Sequence, residues 1–144
     1  MAVHSLQHFC LAVPDPEIGG KFYEDFGLDA EDRGDSLALR CAGRDQDQII
    51  LVEGSQRRLH HLSFGTDECG LDAVKTALEA NATELLDPPE QAPGDGLWFC
   101  DPDGVLINLC IAAPAPWAAA PEWRINSPGH VERIGTRGFP PRDT

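Results

Sequence analysis

Basic side chains are scarce in this sequence of 144 residues, where 11 Lys and Arg stand against 24 Asp and Glu. The formal net charge of −13 disfavours nucleic acids and anionic membranes as partners, because phosphate binding requires a basic face. No apolar run approaches the roughly 20 residues that span a bilayer, and no secretion signal opens the chain. We therefore expect a cytoplasmic protein whose partner is a small molecule, another protein, or both.

Disulfide and common catalytic motifs are also missing. The five cysteines are odd in number and form no C-x-x-C pair, so they are interpreted as reduced thiols. The sequence contains no P-loop, dinucleotide-binding fingerprint or nucleophile elbow. Catalytic residues therefore stay unassigned at this level.

One pattern occurs twice in the chain. The segments LQHFCL, from Leu6, and LHHLSF, from Leu59, share the form Leu-x-His-apolar-x-apolar, with His8 and His61 at the matched position. A repeat of about 50 residues indicates two copies of one supersecondary unit that pack together to bury an apolar face. Both copies can then direct an imidazole into the space between them.

The first copy predicts a β-α-β-β-β module. A strand over 6–13 leads to Asp15 as helix N-cap and Pro16 at the first helical position. Ile18, Phe22 and Phe26 are expected to form the buried stripe of this helix, which Gly27 ends. Within it, the pair at 19–20 is expected to pack closely against the sheet. Strands are predicted over 28–31, 36–41 and 48–53.

The second copy repeats this order. A strand over 59–65 precedes a helix capped by Thr66 or Asp67, and its apolar face carries Leu71, Val74 and Leu78. Strands are predicted over 84–86, 97–100 and 105–111, the last two joined by a turn at 101–104 with Pro and Gly in its centre. The predicted fold is α+β, with two modules packed into a curved mixed sheet around a central cavity and with helices on the outer face.

The alternation of side chains along a strand selects the cavity-facing residues. Three polar side chains fall on the predicted inner face of apolar strands, and we expect His8, His61 and Asn108 to converge there. The other predicted lining residues are Cys10, Ser63, Trp98 and Cys110. His60 has the opposite parity and is expected to be solvated.

Two imidazoles and one oxygen ligand suit Fe(II), Mn(II) or another divalent ion. Asn108, however, supplies a neutral amide oxygen where a carboxylate is usual, which makes it a weak third ligand. The alternative is a hydrogen-bonded histidine pair in a cavity that binds no metal. Replacing Asn108 with Glu is predicted to raise metal affinity about tenfold or more.

Residues 1–112 are predicted to form one domain of two modules, about 1–55 and 56–112. Residues 113–144 change character, since prolines recur without any sustained period. This segment is interpreted as an extended tail or interdomain linker, with Trp117 and Trp123 as anchors and His130 in a loop.

The chain resembles the vicinal oxygen chelate superfamily, which includes glyoxalase I, antibiotic-resistance proteins and type I extradiol ring-cleaving dioxygenases. The resemblance rests on HFCLAVPD from His8, FYEDFGL from Phe22, LHHLSF from Leu59 and FCDPDGVLINL from Phe99. The resemblance implies that the metal-ligand positions are His8, His61 and Asn108. At the position of Asn108, metal-binding members of the superfamily usually carry Glu.

Within this superfamily, the sequence is most similar to the amino-terminal domain of extradiol dioxygenases acting on catechol or dihydroxybiphenyl rings. This implies either the non-catalytic half of a ring-cleaving enzyme or a stand-alone relative, with at most weak divalent metal binding. If active, it would be a metal-dependent extradiol dioxygenase; as a half, its tail would lead into a catalytic half that is absent here. A metal-free module that binds a small aromatic ligand, as resistance proteins do, is the alternative. A third interpretation is a homodimer, or a partner domain gripped by the 113–144 tail.

Overall fold

The structure is a computed structural model that describes residues 3–92 and 95–114, together with the backbone of residues 126–127 and 130–131. The first module consists of β1 (Ser5–Val13), α1 (Pro16–Asp25), β2 (Leu28–Asp32), β3 (Ser36–Cys41) and β4 (Ile49–Glu53). The second consists of β5 (Arg58–Thr66), α2 (Glu68–Ala80), β6 (Leu97–Cys100) and β7 (Leu106–Ile111). This order confirms the predicted α+β class.

The seven strands form one mixed sheet in the order β2-β3-β4-β1-β5-β7-β6. The two modules join where β1 pairs antiparallel with β5, while β1–β4 and β5–β7 are parallel pairs. The repeated histidine strands are therefore the central neighbours of the sheet. This pairing places the two matched imidazoles next to each other.

Both helices begin as their sequences predict. Asp15 accepts a hydrogen bond from the backbone N–H of Ile18, and Asp67 accepts one from Gly70. Each carboxylate thereby satisfies a backbone donor that the first helical turn leaves without an intrahelical partner. Of the two candidate caps for α2, the N-cap is Asp67.

The expected buried stripe of α1 is wrong. Ile18, Phe22 and Phe26 are 68%, 63% and 77% exposed. The helix presents its glycine face to the sheet instead: a Cβ on Gly19 would lie 2.9 Å from a Leu51 methyl group. The predicted close packing of the glycine pair is thus confirmed. Because the glycines lack side chains, the helix backbone can lie directly on β3 and β4.

Two further elements differ from expectation. No strand forms over 84–86 in the described chain; Leu86 makes an isolated bridge to Trp98. Most of the tail, including Trp117 and Trp123, lies outside the described residues. His130 was expected in a loop, but it lies in the short strand β9 (His130–Val131), which pairs with β8 (Asn126–Ser127).

The apolar core lies between the sheet and α1. Leu39, Ile49 and Leu51 form its centre, and Phe9 and Tyr23 pack against them. The opposite face of the sheet carries a smaller cluster that includes Cys10, Ala12 and Val52. In the described parts of the chain, no helix is long and apolar enough to cross a membrane.

Candidate metal and ligand site

A pair of histidines lies at the junction of the two modules. The Nε2 atoms of His8 on β1 and His61 on β5 are 3.1 Å apart, and the two rings meet edge to face. His61 is fully buried, and His8 is half-buried. At this separation one neutral ring donates its N–H to the bare nitrogen of the other, so the two rings hold complementary tautomers.

A third histidine joins this pair through a break in the strand register. Cys10 pairs with His61, but the next residue of β1, Leu11, pairs with Leu59, so His60 is the extra residue of a β-bulge. The bulge turns the His60 ring toward its neighbour, and its Nδ1 lies 2.9 Å from Nδ1 of His61. The expectation that His60 would be solvated is therefore wrong, because strict alternation fails at a bulge.

Burial controls the protonation of these rings. The pKa of His61 is lowered to about 3, chiefly by burial and in addition by repulsion from the charged forms of His8 and His60. Burial also lowers the pKa of His8, against the opposing effect of Asp47, and that of His60, where Arg58 adds to the effect. At neutral pH the three imidazoles are uncharged and can use a nitrogen lone pair as ligand.

The Cys10 thiol lies beside the histidines. It is fully buried, and burial raises its pKa to about 12. Its sulfur and one nitrogen each of His60 and His61 all lie within 4.8 Å of one another. From the sequence, Cys10 was expected only in the cavity lining. The signal for this grouping is the adjacent histidine pair at 60–61, which becomes informative only once the bulge is known.

Asn108 on β7 is fully buried and is held by two hydrogen bonds. Its Oδ1 accepts from the Ser63 hydroxyl at 2.7 Å, and its Nδ2 donates to the backbone carbonyl of Asp95 at 3.0 Å. Of the three predicted ligands, the structure brings His8 and His61 into contact. It engages Asn108 with Ser63 and with the chain segment before β6.

The remaining predicted lining residues surround this group. The Trp98 indole meets the His61 ring edge to face, with ring centroids 5.0 Å apart. Ser63 also lies 3.8 Å from the Cys110 sulfur. Within the described chain, the indole N–H of Trp98 is buried without a hydrogen-bond acceptor. A buried donor of this kind would be satisfied by an acceptor atom of a bound ligand.

A cavity of about 380 Å³ opens beside His8. Its wall includes Ile50, Arg33 and Asp47. The Asp47 carboxylate is bound by Arg33 at 2.8 Å and by Arg40 at 2.6 Å. The carboxylate next to His8 is therefore already neutralised by two guanidinium groups.

The histidine pair alone matches the geometry of a divalent metal. An ion about 2.1 Å from each nitrogen, in neighbouring positions of an octahedron, sets the two nitrogens about 3.0 Å apart. The third position does not fit, because Asn108 carries no charge and its amide is bound elsewhere. Asp47 is occupied by arginines. These residues fall short of the two-histidine, one-carboxylate set that Fe(II) oxygenases use.

A sheet of two such modules, with paired histidines on its central strands, defines a known class of proteins. Residues 5–109 match the glyoxalase/bleomycin resistance protein/dioxygenase superfamily. The chain belongs to this family, as its resemblance to the vicinal oxygen chelate proteins implied.

Relatives of the chain include extradiol dioxygenases. It is 31% identical over 134 residues to metapyrocatechase 2 of Cupriavidus necator, which covers 89% of this chain and 40% of that protein. The chain therefore spans about two fifths of the length of this relative.

Solved structures show the same fold. 2,2',3-Trihydroxybiphenyl 1,2-dioxygenase of Sphingomonas wittichii superposes with a TM-score of 0.65 at 23% identity, over 79% of this chain and 42% of that one. A Mn(II)-bound glyoxalase from Novosphingobium aromaticivorans superposes with a TM-score of 0.62 at 22% identity, over 80% and 43% of the two chains.

Proposed function

We propose that this chain is the non-catalytic amino-terminal half of an extradiol dioxygenase type of protein, acting on catechol or dihydroxybiphenyl rings. The observation that carries the proposal is the engaged amide of Asn108, which stands where metal-binding members of the family usually carry Glu. The match to 40% of metapyrocatechase 2 supports it, because a longer relative leaves room for a separate catalytic half.

In this proposal the chain's own residues build the module interface rather than an iron centre. The two histidines satisfy each other, and Asn108 ties β7 to β5 and to the segment before β6. Fe(II) or Mn(II) then binds weakly at most, since two neutral imidazoles supply no charge to offset the cation. The protein is proposed to work in the cytoplasm, with a second copy or a further domain as partner of the 113–144 tail.

A second function, a metal-free module that binds a small aromatic ligand, is favoured by one observation. The Trp98 indole N–H is buried without an acceptor, next to His61. A ring hydroxyl that reached this donor would satisfy it, and the uncharged histidines would offer further hydrogen bonds.

A chimera tests the first proposal directly. The aligned 134-residue part of metapyrocatechase 2 is replaced by this chain, and oxygen uptake with catechol is measured beside the intact enzyme. We expect the chimera to cleave catechol, and this chain alone, loaded with Fe(II), to consume no oxygen. Iron-dependent uptake by the isolated chain would overturn the non-catalytic assignment. Catechol binding to the isolated chain without metal would instead support the second function.

A further inference from the structure

We propose that Cys10, His60 and His61 form a binding site for a thiophilic d¹⁰ cation, for which Zn(II) is the probe. This site is distinct from the set of His8, His61 and Asn108, with which it shares only His61. It does not rest on the dioxygenase-related function proposed above.

The β-bulge creates the site. Without the extra residue, His60 would face away from Cys10 and His61, as alternation requires. With it, the Nδ1 atoms of the two histidines lie 2.9 Å apart, and the thiol is within 4.8 Å of a nitrogen of each. Bulges commonly re-aim a side chain at a functional position.

Small movements complete the coordination. With metal–nitrogen bonds of about 2.0–2.1 Å and a metal–sulfur bond of about 2.3 Å, a tetrahedral ion sets two nitrogens about 3.3 Å apart and sulfur about 3.6 Å from each. The two nitrogens, now 2.9 Å apart, therefore separate by about 0.4 Å, and a sulfur 4.8 Å away would approach by about 1.2 Å. Rotations about the side-chain bonds suffice, and His60, which is half-buried, has room to turn.

The donor set selects the ion. One thiolate and two imidazoles prefer Zn(II) or Cu(I), whereas Mn(II) and Mg(II) prefer oxygen ligands. On binding, the Cys10 S–H bond is replaced by a sulfur–metal bond, and that proton leaves to solvent. His60 moves the hydrogen that its Nδ1 donates to His61 onto its own Nε2, so one proton is released per ion. The fourth position of a tetrahedral ion is left for water or a ligand.

His8 acts as a supporting residue of this site. A hydrogen on Nε2 of His61, donated to His8 across 3.1 Å, leaves Nδ1 of His61 bare on the side of His60. A second hydrogen bond of this kind fixes the tautomer and ring orientation of a metal-binding histidine. A His61 that binds Zn(II) cannot at the same time join His8 in binding a hard ion such as Mn(II). The two metal sites therefore exclude each other.

The test uses Co(II) as a spectroscopic substitute for Zn(II), titrated anaerobically into the full chain. We expect an intense near-ultraviolet thiolate-to-cobalt charge-transfer band that saturates at one equivalent, the release of one proton per ion, and loss of the band when Zn(II) is added. Cys10→Ala should abolish the band. His60→Gln should weaken Co(II) binding roughly tenfold or more.

The controls are Cys69→Ala, on the exposed face of α2, and His4→Gln, an exposed histidine; both should leave the band and affinity unchanged. Absence of the band in the wild-type protein, or an unchanged titration in either site variant, overturns the proposal. If Cys10→Ala fails to fold, the Co(II) titration of His60→Gln alone decides the test. His60 is only half-buried, so we expect this variant to fold. Failure of the proposed dioxygenase relationship would appear in oxygen uptake and leave the cobalt band untouched.

Discussion

Mild acid should destabilise this protein through His61. In the folded chain its pKa is lowered to about 3, so the ring stays neutral at about pH 5. In the unfolded chain an ordinary histidine, with a pKa of about 6.5, takes up a proton at that pH. The unfolded state therefore binds more protons, and the stability that is present above pH 6.5 is lost as the pH falls toward 3.

The magnitude follows from the shift. Each pH unit between the two pKa values is worth about 1.4 kcal/mol, so acidification from about pH 7.5 to about pH 5 removes about 2 kcal/mol through His61 alone. The pKa values of His8 and His60 are lowered as well, so their protonation acts in the same direction. A loss of this size is a large fraction of the stability of a small domain.

Urea unfolding followed by circular dichroism, at about pH 7.5 and about pH 5, measures this loss. His61→Gln removes the titrating ring and should flatten the pH dependence, although it lowers stability at both values. His4→Gln, an exposed change, should keep the wild-type dependence. An equal unfolding free energy of the wild-type protein at both pH values, or an equal fall in His61→Gln, would refute the reasoning.

Three further changes have defined outcomes. Gly96→Ala should lower the free energy of unfolding by about 2–4 kcal/mol, because Gly96 has a φ of 93° and an added Cβ meets a backbone carbonyl of β7. The control is Gly104→Ala, at a φ of 83° with open space around the added Cβ, which should lower the free energy of unfolding by only about 1 kcal/mol. Asn108→Glu should raise Mn(II) affinity about tenfold or more in calorimetric titration, while the lost bond to the Asp95 carbonyl costs about 1–3 kcal/mol of stability. Phe22→Ser, on the exposed stripe of α1, should cost less than about 1 kcal/mol, against about 2–5 kcal/mol for Leu39→Ala in the core.

Each comparison carries its own refutation. An equal loss of unfolding free energy in Gly96→Ala and Gly104→Ala would contradict the close approach of the β7 backbone to Gly96. An unchanged Mn(II) titration of Asn108→Glu would remove the claim that position 108 can reach the histidines. A large loss in Phe22→Ser would mean that this stripe is covered by another part of the chain.

Much of the fold could be predicted because it depends on local patterns. The repeated strand around His8 and His61, the caps at Asp15 and Asp67 and the turn at 101–104 all encode their conformation in a few neighbouring residues. The α+β class and the approach of His8 to His61 between the two modules followed from these patterns together.

The face that α1 buries could not be predicted from periodicity. Its helical pattern offers an apolar face with Phe22 and a small face with Gly19 and Gly20, and both were expected to contact the sheet. The sheet selected the second, because only glycines let the helix backbone lie against Leu37 and Leu51. Which face is buried depends on shape complementarity with strands that are distant in the sequence. The local pattern of the helix therefore does not determine it.

The arrangement around His60 was hidden for a similar reason. A bulge is a property of two paired strands. The bulge at His60 depends on which residues of β1 pair with which residues of β5, and the sequence of β5 alone does not determine this. The hydrogen bonds of Asn108 to Ser63 and Asp95 likewise depend on tertiary placement. Residue types at matched positions predicted the histidine contact, but not which atoms the amide would bind.

Whether the chain holds an iron centre can be measured by anaerobic equilibrium dialysis against Fe(II), followed by metal analysis and oxygen uptake with catechol. We expect far less than one retained iron per chain and no catechol-dependent uptake, because His8 and His61 lack a charged third ligand. One tightly held Fe(II) per chain, with uptake that disappears in His8→Ala, would contradict it.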